Sequence, residues 1–362
     1  MATTIALETM GATLAAAETS QASLHLVADT GWLKIPDGKL IGDVSAVAVD
    51  HRDNVWILTR PRSVAGADRA RALPPVLKFD RDGRFVAGWG GAGQGYDWPT
   101  TEHSIAVDRR GHVWVSGSFR ADAKSADDMV LEFTGKGEFV KQIGVRGASH
   151  GDGDTANLHA PGDIFVDDTA REVYVADGYG NRRIIVFDEH SGRFKRMWSG
   201  FGAPPPAEAA PDPRPVGTAF TPDSGDGPAG FNGVHGVEVS RDGLVYVSDR
   251  NNQRVQIFTR KGKYIRQFFV DRNMPSPQSA SGIAFSPDKR QRTLYIADWG
   301  NSRLLVYDRD SLSLLGSIGE RGTAPGQFIG PHLIATDSRG HVYVAEVVGR
   351  RLQRLTIERP AR

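Results

Sequence analysis

The chain has 362 residues, no cysteine, and 44 basic against 43 acidic side chains, for a net charge of +1. The lack of cysteine excludes disulfides and thiolate metal sites, so any metal must be held by His, Asp, Glu or carbonyl oxygen. The balanced, interspersed charge argues against a nucleic-acid or membrane-surface partner, and no apolar run approaches the roughly 20 residues of a membrane span.

Residues 1–20 are Ala/Thr-rich, without a basic segment or a solid apolar core. They read as a frayed tail or short helix rather than a secretory signal, which points to a cytoplasmic protein. Residues 21–362 are expected to form one domain. Leu24 to Ala28 and then Trp32 to Ile35 have strand character but no repeat of their own.

From Ser45 onward the chain repeats itself six times. The first runs of the copies are Ser45 to Asp50, His103 to Asp108, Gly162 to Asp167, His235 to Ser240, Ser281 to Ser286 and His332 to Asp337. Each is followed by a second run such as Val55-Trp-Ile-Leu, Val173-Tyr-Val-Ala-Asp177 or Val342-Tyr-Val-Ala-Glu346. Apolar and polar residues alternate within the runs, and Gly-bearing turns separate them, which is the signal of strands joined by hairpins. A third run (Val255-Gln-Ile-Phe, Leu304-Leu-Val-Tyr) and a fourth (Lys263 to Phe268) complete each unit. Four antiparallel strands per repeat make a blade, so the predicted fold is an all-β, six-bladed β-propeller. The sixth copy ends after its third run, Leu352 to Ile357. The N-terminal segment is therefore expected to supply the missing outer strand and close the ring, which hides two sheet edges.

The pattern Asp-x-x-Asn-x-Arg recurs at Asp249/Asn252/Arg254 and Asp298/Asn301/Arg303. It is read as a structural device that satisfies donors in a tight turn. On these residues, the stretch from Ser45 to Ile357 resembles the NHL repeat family.

Reading the copies against one another isolates one position. At the start of the first strand stand Ser45, His103, Gly162, His235, Ser281 and His332, so that histidine occupies every second blade. First strands line the central channel, and alternate blades lie ~120° apart. His103, His235 and His332 are thus expected to converge on the axis as a three-histidine metal site with an open position. The small residues between them leave room for a ligand. The end of the second strand reaches the same mouth and carries Arg60 in blade 1 and Arg250 in blade 4, which face each other. Their forked donors suit a carboxylate. The alternative is a surface salt bridge, which is worth little.

Blade 3 has one extra residue in its turn, Asp177-Gly-Tyr179-Gly-Asn181. This pushes Tyr179 toward the level of the histidines, either as a proton-transfer group beside a dication or as an aromatic lid. Insertions at Pro61 to Pro75, Phe119 to Asp128 and Gly200 to Gly230 are read as walls of a substrate cleft, with Tyr96 and Trp98 adding aromatic surface. His112, His341, His25, His51 and His190 are read as turn or surface residues, whereas His150 and His159 are left unassigned.

These residues together resemble the peptidyl-α-hydroxyglycine α-amidating lyases. The resemblance implies a catalytic zinc, or another divalent metal, on His103, His235 and His332. It also implies a catalytic Tyr179 and active-site Arg250 and Arg60. The implied reaction splits an α-hydroxyglycine-type carbinolamide into an amide and glyoxylate. The partner is then a small-molecule or peptide-like substrate with a carboxylate. Leu333 stands where that family has an Asp that binds a structural calcium, so the calcium loses that ligand here. Gly180 stands where the family has a Cys. Two other classes stay open: a metal-dependent hydrolase or lactonase on the same histidines, and a non-catalytic NHL scaffold for a protein or RNA.

Overall fold

The computed structural model describes residues 24–118, 127–206, 225–272 and 279–358. The expected N-terminal tail, most of the Phe119 to Asp128 insertion and the middle of the Gly200 to Gly230 insertion lie outside the described residues.

Among the described residues, twenty-four strands form six four-stranded antiparallel sheets. The fold is a six-bladed β-propeller. The inner strands are Asp43–Val49, Glu102–Val107, Asp163–Asp167, Val234–Val239, Ile283–Phe285 and Pro331–Thr336. The inner strand expected from Ser281 has regular pairing only from Ile283, although Ser281 N and Ala297 N still donate across the pair.

Second strands such as Val113–Gly117, Glu172–Asp177 and Val342–Glu346 are buried on both faces, because each blade is sandwiched between two others. This is why they are rich in Val, Tyr and Trp rather than strictly alternating. The apolar clusters cross blade boundaries. One joins Ala46, Trp56 and Leu58 of blade 1 to Ile105, Val113 and Val115 of blade 2 and to Leu333 of blade 6. Each fully buried aliphatic or aromatic side chain contributes about 1.5–3 kcal/mol, so the blade-to-blade seams hold the ring together.

The Asp-x-x-Asn-x-Arg boxes are structural, as expected. Asp249 accepts from Asn232 N (2.7 Å), Asn252 Nδ2 (2.8 Å) and Arg254 Nε (2.7 Å). Arg254 is fully buried and passes its remaining donors to the Asp226 and Gly230 carbonyls. In blade 3 Asp177 holds Asn181 and the fully buried Arg183 in the same way.

The N-terminal strand His25–Asp29 pairs with Arg351–Glu358 and completes blade 6, as the closure reading requires. Only the first half of the predicted segment does this. Trp32 turns away, stacks on Tyr343 at 5.1 Å and donates from Nε1 to the Arg81 carbonyl, while Lys34 N bonds Gly83 O in blade 1. Tryptophan is large and apolar with one donor, so it fills the blade 6–blade 1 seam better than a sheet edge.

Candidate metal centre

The three histidines converge. His103, His235 and His332 are all buried, and their ring centroids form a near-equilateral triangle with sides of 5.1, 4.6 and 4.7 Å. Each offers a ligand nitrogen within 4.8 Å of the other two. Local backbone irregularity aims them. The register of the first hairpin shifts between Glu102 and Ser104, between Val234 and Gly236, and between Pro331 and Ile334. A bulge leaves the extra residue unpaired and re-aims its side chain, here toward the axis.

Their orientation is fixed from behind. His103 Nδ1 contacts Gly162 O at 2.6 Å, His235 Nδ1 contacts Ser281 O at 3.1 Å, and His332 Nδ1 contacts Ser45 O at 2.5 Å. A carbonyl only accepts, so Nδ1 carries the proton and Nε2 presents its lone pair to the axis. The acceptors sit at the equivalent position of the next blade. The small residues of the alternating pattern therefore act through their backbone, which a reading of side chains does not reveal. Burial pushes the pKa of all three below the ordinary imidazole value, His332 to about 3; Arg250 pushes all three the same way, and Arg60 does so for His103 and His332. Three neutral imidazoles with converging lone pairs and their other nitrogens bonded to carbonyls are the donor set and outer support that a divalent metal such as zinc needs. The residues present fit such an ion.

Tyr179 reaches the same point. Its hydroxyl lies 3.0 Å from His103 Nε2 and 3.1 Å from His235 Nε2. Arg250 donates to that oxygen at 3.3 Å and lies over the ring at 5.2 Å. Arg250 is only 8% exposed. It follows the second strand of blade 4 directly and heads the short 3-10 turn Arg250–Asn252. Arg60 ends the strand Val55–Arg60 and donates from Nε to the Glu102 carbonyl at 2.9 Å, immediately before His103. Burial and the neighbouring Arg62 lower its pKa. Arg62 pairs with Glu102, which also accepts from Trp98 Nε1 at 3.2 Å. The Pro61 to Pro75 insertion folds into two short 3-10 turns, one beginning beside Arg60.

Sequence reading leaves out one supporting residue. His159 belongs to a tight bend with Ala160 at φ 54°, and Tyr179 N and Gly180 N donate to the Ala160 and His159 carbonyls at 3.3 and 3.0 Å. A Cβ on Gly180 would lie 2.3 Å from the His159 ring, and one on Gly178 would lie 2.0 Å from Val234 O. The glycines on either side of Tyr179 make this close approach possible. His150, also unassigned, lies on the surface and bonds Asp154 at 3.0 Å. Tyr96 and Trp98 are half-buried. They pack against Phe133, and Tyr96 also against Phe139, because blade 2 needs its own outer aromatic core. Trp299, equivalent to Arg60 and Arg250 in blade 5, stacks on His332 at 5.6 Å. Leu333 is buried among apolar residues.

The site and the ring together define a six-bladed β-propeller with a three-histidine cluster on its axis. The NHL repeat pattern matches residues 231–258, which are the first three strands of blade 4. Over 338 residues the chain is 26% identical to human NHL repeat-containing protein 3, covering 90% of this chain and 82% of that protein. It is also 26% identical over 264 residues to peptidyl-glycine alpha-amidating monooxygenase B of Xenopus laevis, covering 67% of this chain but only 26% of that longer protein. Among solved structures, a streptogramin B lyase structure superposes over 92% of this chain and 98% of its own, with TM-score 0.52 and 13% identity. A structural genomics protein from Bacteroides thetaiotaomicron superposes over 93% of this chain and 77% of its own, with TM-score 0.57 and 15% identity. At these identities the structural likenesses speak for the fold. Among the described residues, no helix is long and apolar enough to cross a membrane.

Proposed function

We propose that the chain is a metal-dependent carbon–nitrogen lyase that splits a carbinolamide, R-CO-NH-CH(OH)-COOH, into an amide and glyoxylate. The carrying observation is the meeting of three axial histidines, two of them through Nε2, with the Tyr179 hydroxyl and the Arg250 guanidinium at one point. The similarity to an amidating enzyme over two thirds of the chain supports the same reading.

His103, His235 and His332 would hold the ion. When bound there, zinc or a similar dication supplies Lewis acidity to a substrate oxygen. Tyr179 is placed to take the proton of the substrate hydroxyl. As that O–H bond breaks, a C=O bond forms and the C–N bond breaks, and the same proton returns to the departing amide nitrogen. Arg250 and Arg60, fixed on two sides of the mouth, bind the carboxylate and hold the carbinol carbon against Tyr179. The three histidines are buried, whereas Tyr179 is 39% exposed, so the site is reached from the mouth of the channel.

The test is metal content of purified protein beside His235→Ala, followed by glyoxylate release from an α-hydroxyglycine-capped peptide. About one dication per chain in the wild type, lost in the variant, together with metal-dependent glyoxylate release, is the expected result. Bound metal without glyoxylate, but with ester or lactone hydrolysis, would replace the lyase by a hydrolase. No bound metal after reconstitution would remove the mechanism.

A further inference from the structure

On the face opposite the histidines, neighbouring blades are stitched together by polar bonds. Between blades 6 and 1, Ser338 Oγ donates to Asp53 at 2.7 Å and Arg339 donates to the Arg81 carbonyl at 2.9 Å. Between blades 2 and 3, Lys141 donates to the His190 carbonyl and Arg110 pairs with Glu189, both at 2.7 Å. Arg260 joins blade 4 to Asp167 of blade 3 at 2.7 Å, and Arg241 joins it to the Pro287 and Asp288 carbonyls of blade 5 at 2.8 Å. The seam between blades 1 and 2 differs. On the histidine face it is tied by Arg60 and Arg62 to Glu102. On the opposite face no such bond joins it among the described residues, and a groove of about 490 Å³ opens there.

Basic side chains line this groove. Blade 1 contributes Arg52 and Lys78, and blade 2 contributes Arg109, Arg110 and Lys136. Arg110 is committed to Asp108, Glu132 and Glu189. Those same contacts, with Lys141, also fill the Asp108–His112–Glu132 cluster that could otherwise take a metal. The side chains of Arg52, Arg109 and Lys136 have no hydrogen-bond or ion-pair partner among the described residues, and Lys78 lies over the buried Trp56 ring at 4.7 Å. The two lining carboxylates do not neutralise them. Asp50 is saturated by Arg52 N, Asn54 N and Nδ2, and Trp56 Nε1. Glu138 stands exposed and accepts from Thr134 Oγ1. Four cations drawn from two blades thus converge on one concavity of small-ligand size. Elsewhere on this face equivalent arginines reach carbonyls or carboxylates of the next blade.

We propose that the groove between blades 1 and 2 is an anion site for a small molecule with clustered phosphate-type charges, separate from the metal centre. The forked Arg52 and Arg109 approach from opposite walls and suit two oxygens of a phosphate chain. Lys78 and Lys136 act as point charges. The ligand would complete a seam that has no polar bridge on this face among the described residues, tying blade 1 to blade 2 as Arg110 ties blade 2 to blade 3.

The experiment is calorimetric titration of the metal-free full-length protein with inorganic tripolyphosphate at low ionic strength. The comparison is wild type, Arg52→Ala/Arg109→Ala/Lys136→Ala, and the mouth variant Arg60→Ala/Arg250→Ala. The expected result is saturable binding near one per chain, weakened at least about tenfold in the groove variant and unchanged in the mouth variant, with an unchanged circular-dichroism spectrum for all three. Single Arg109→Glu should weaken binding further than Arg109→Ala, because it reverses the charge without altering a buried contact. Binding that is absent, non-saturable, or lost in the mouth variant while kept in the groove variant would overturn the assignment. Because no metal is present, the result is independent of whether the lyase reading holds.

Discussion

Tyr179 stands between two glycines for a packing reason, and that makes its role separable from the metal's. Gly178 runs against the Val234 backbone and Gly180 against the His159 ring. Gly180→Ala would drive a methyl group into that ring and shift the tyrosine off the axis. Overpacking of this kind costs about 1–3 kcal/mol. A displacement near 1 Å at a reacting group costs on the order of a hundredfold in rate. The expected outcome is a lower melting temperature with glyoxylate release reduced by that order, while bound metal stays near the wild-type level. Tyr179→Phe removes only the hydroxyl. It should reduce turnover about 10²–10⁴-fold with metal content and melting temperature unchanged. Elemental analysis, thermal melting and product assay on the two variants separate misplacement from lost chemistry. Full activity in Tyr179→Phe would end the proton-transfer role.

At the level of strands and turns, six copies of short strand-like runs separated by Gly-bearing turns were enough to lay out the blades, even though the second strands, buried on both faces, do not strictly alternate. The candidate site was legible for a different reason. Internal copies compare like positions, so histidine in alternate first strands and arginine at the ends of second strands stand out. What stayed hidden is what alternation cannot encode. A one-residue bulge at His103 or His235 leaves no residue signature, and the carbonyls of Gly162, Ser281 and Ser45 are the same in any residue. His159 escaped because its link to Tyr179 runs through backbone bonds between chain segments twenty residues apart. Ion pairs between strands were equally invisible. In blade 3, burial alone would raise the Glu172 pKa, but bonds from Arg196, Lys195 and Tyr174 bring it down from 4.5 to about 2. A depressed carboxyl pKa stabilises the fold fully above the ordinary value and progressively less as pH falls through the folded one. Glu172→Gln should therefore lower the denaturation midpoint at pH 7, with the gap to wild type closing between about pH 4.5 and 2. Urea titrations of both proteins across that range check it. A gap independent of pH would assign the effect to packing.

The ring as a whole depends on a strand from the other end of the chain. His25–Asp29 pairs along Arg351–Glu358, and Leu24, Leu26 and Ala28 pack on the blade 5–blade 6 core beside Ile318, Phe328 and Leu355. A chain lacking residues 1–30 would lose those contacts and expose a long unpaired edge on blade 6. Two partly buried leucines and a strand's bonds are worth on the order of 3 kcal/mol. The bare edge also invites pairing with a second copy. The truncated protein should melt several degrees lower and show dimers or larger species by light scattering. A metal held by the axial histidines, as proposed, would oppose this loss from the other side of the same blade. His332 belongs to blade 6, whereas His103 and His235 belong to blades 2 and 4, so an ion held by all three clamps alternate blades across the axis. Ligand at a hundred times its dissociation constant adds about 2.7 kcal/mol to the folded state. Zinc should accordingly restore most of the melting temperature lost on truncation. It should not restore the monomer, because a clamp at the axis leaves the outer edge of blade 6 uncovered. Adding His332→Ala to the truncation should abolish the zinc effect. If zinc stabilises the doubly altered chain as much as the truncated one, the ion binds elsewhere and the axial clamp is refuted.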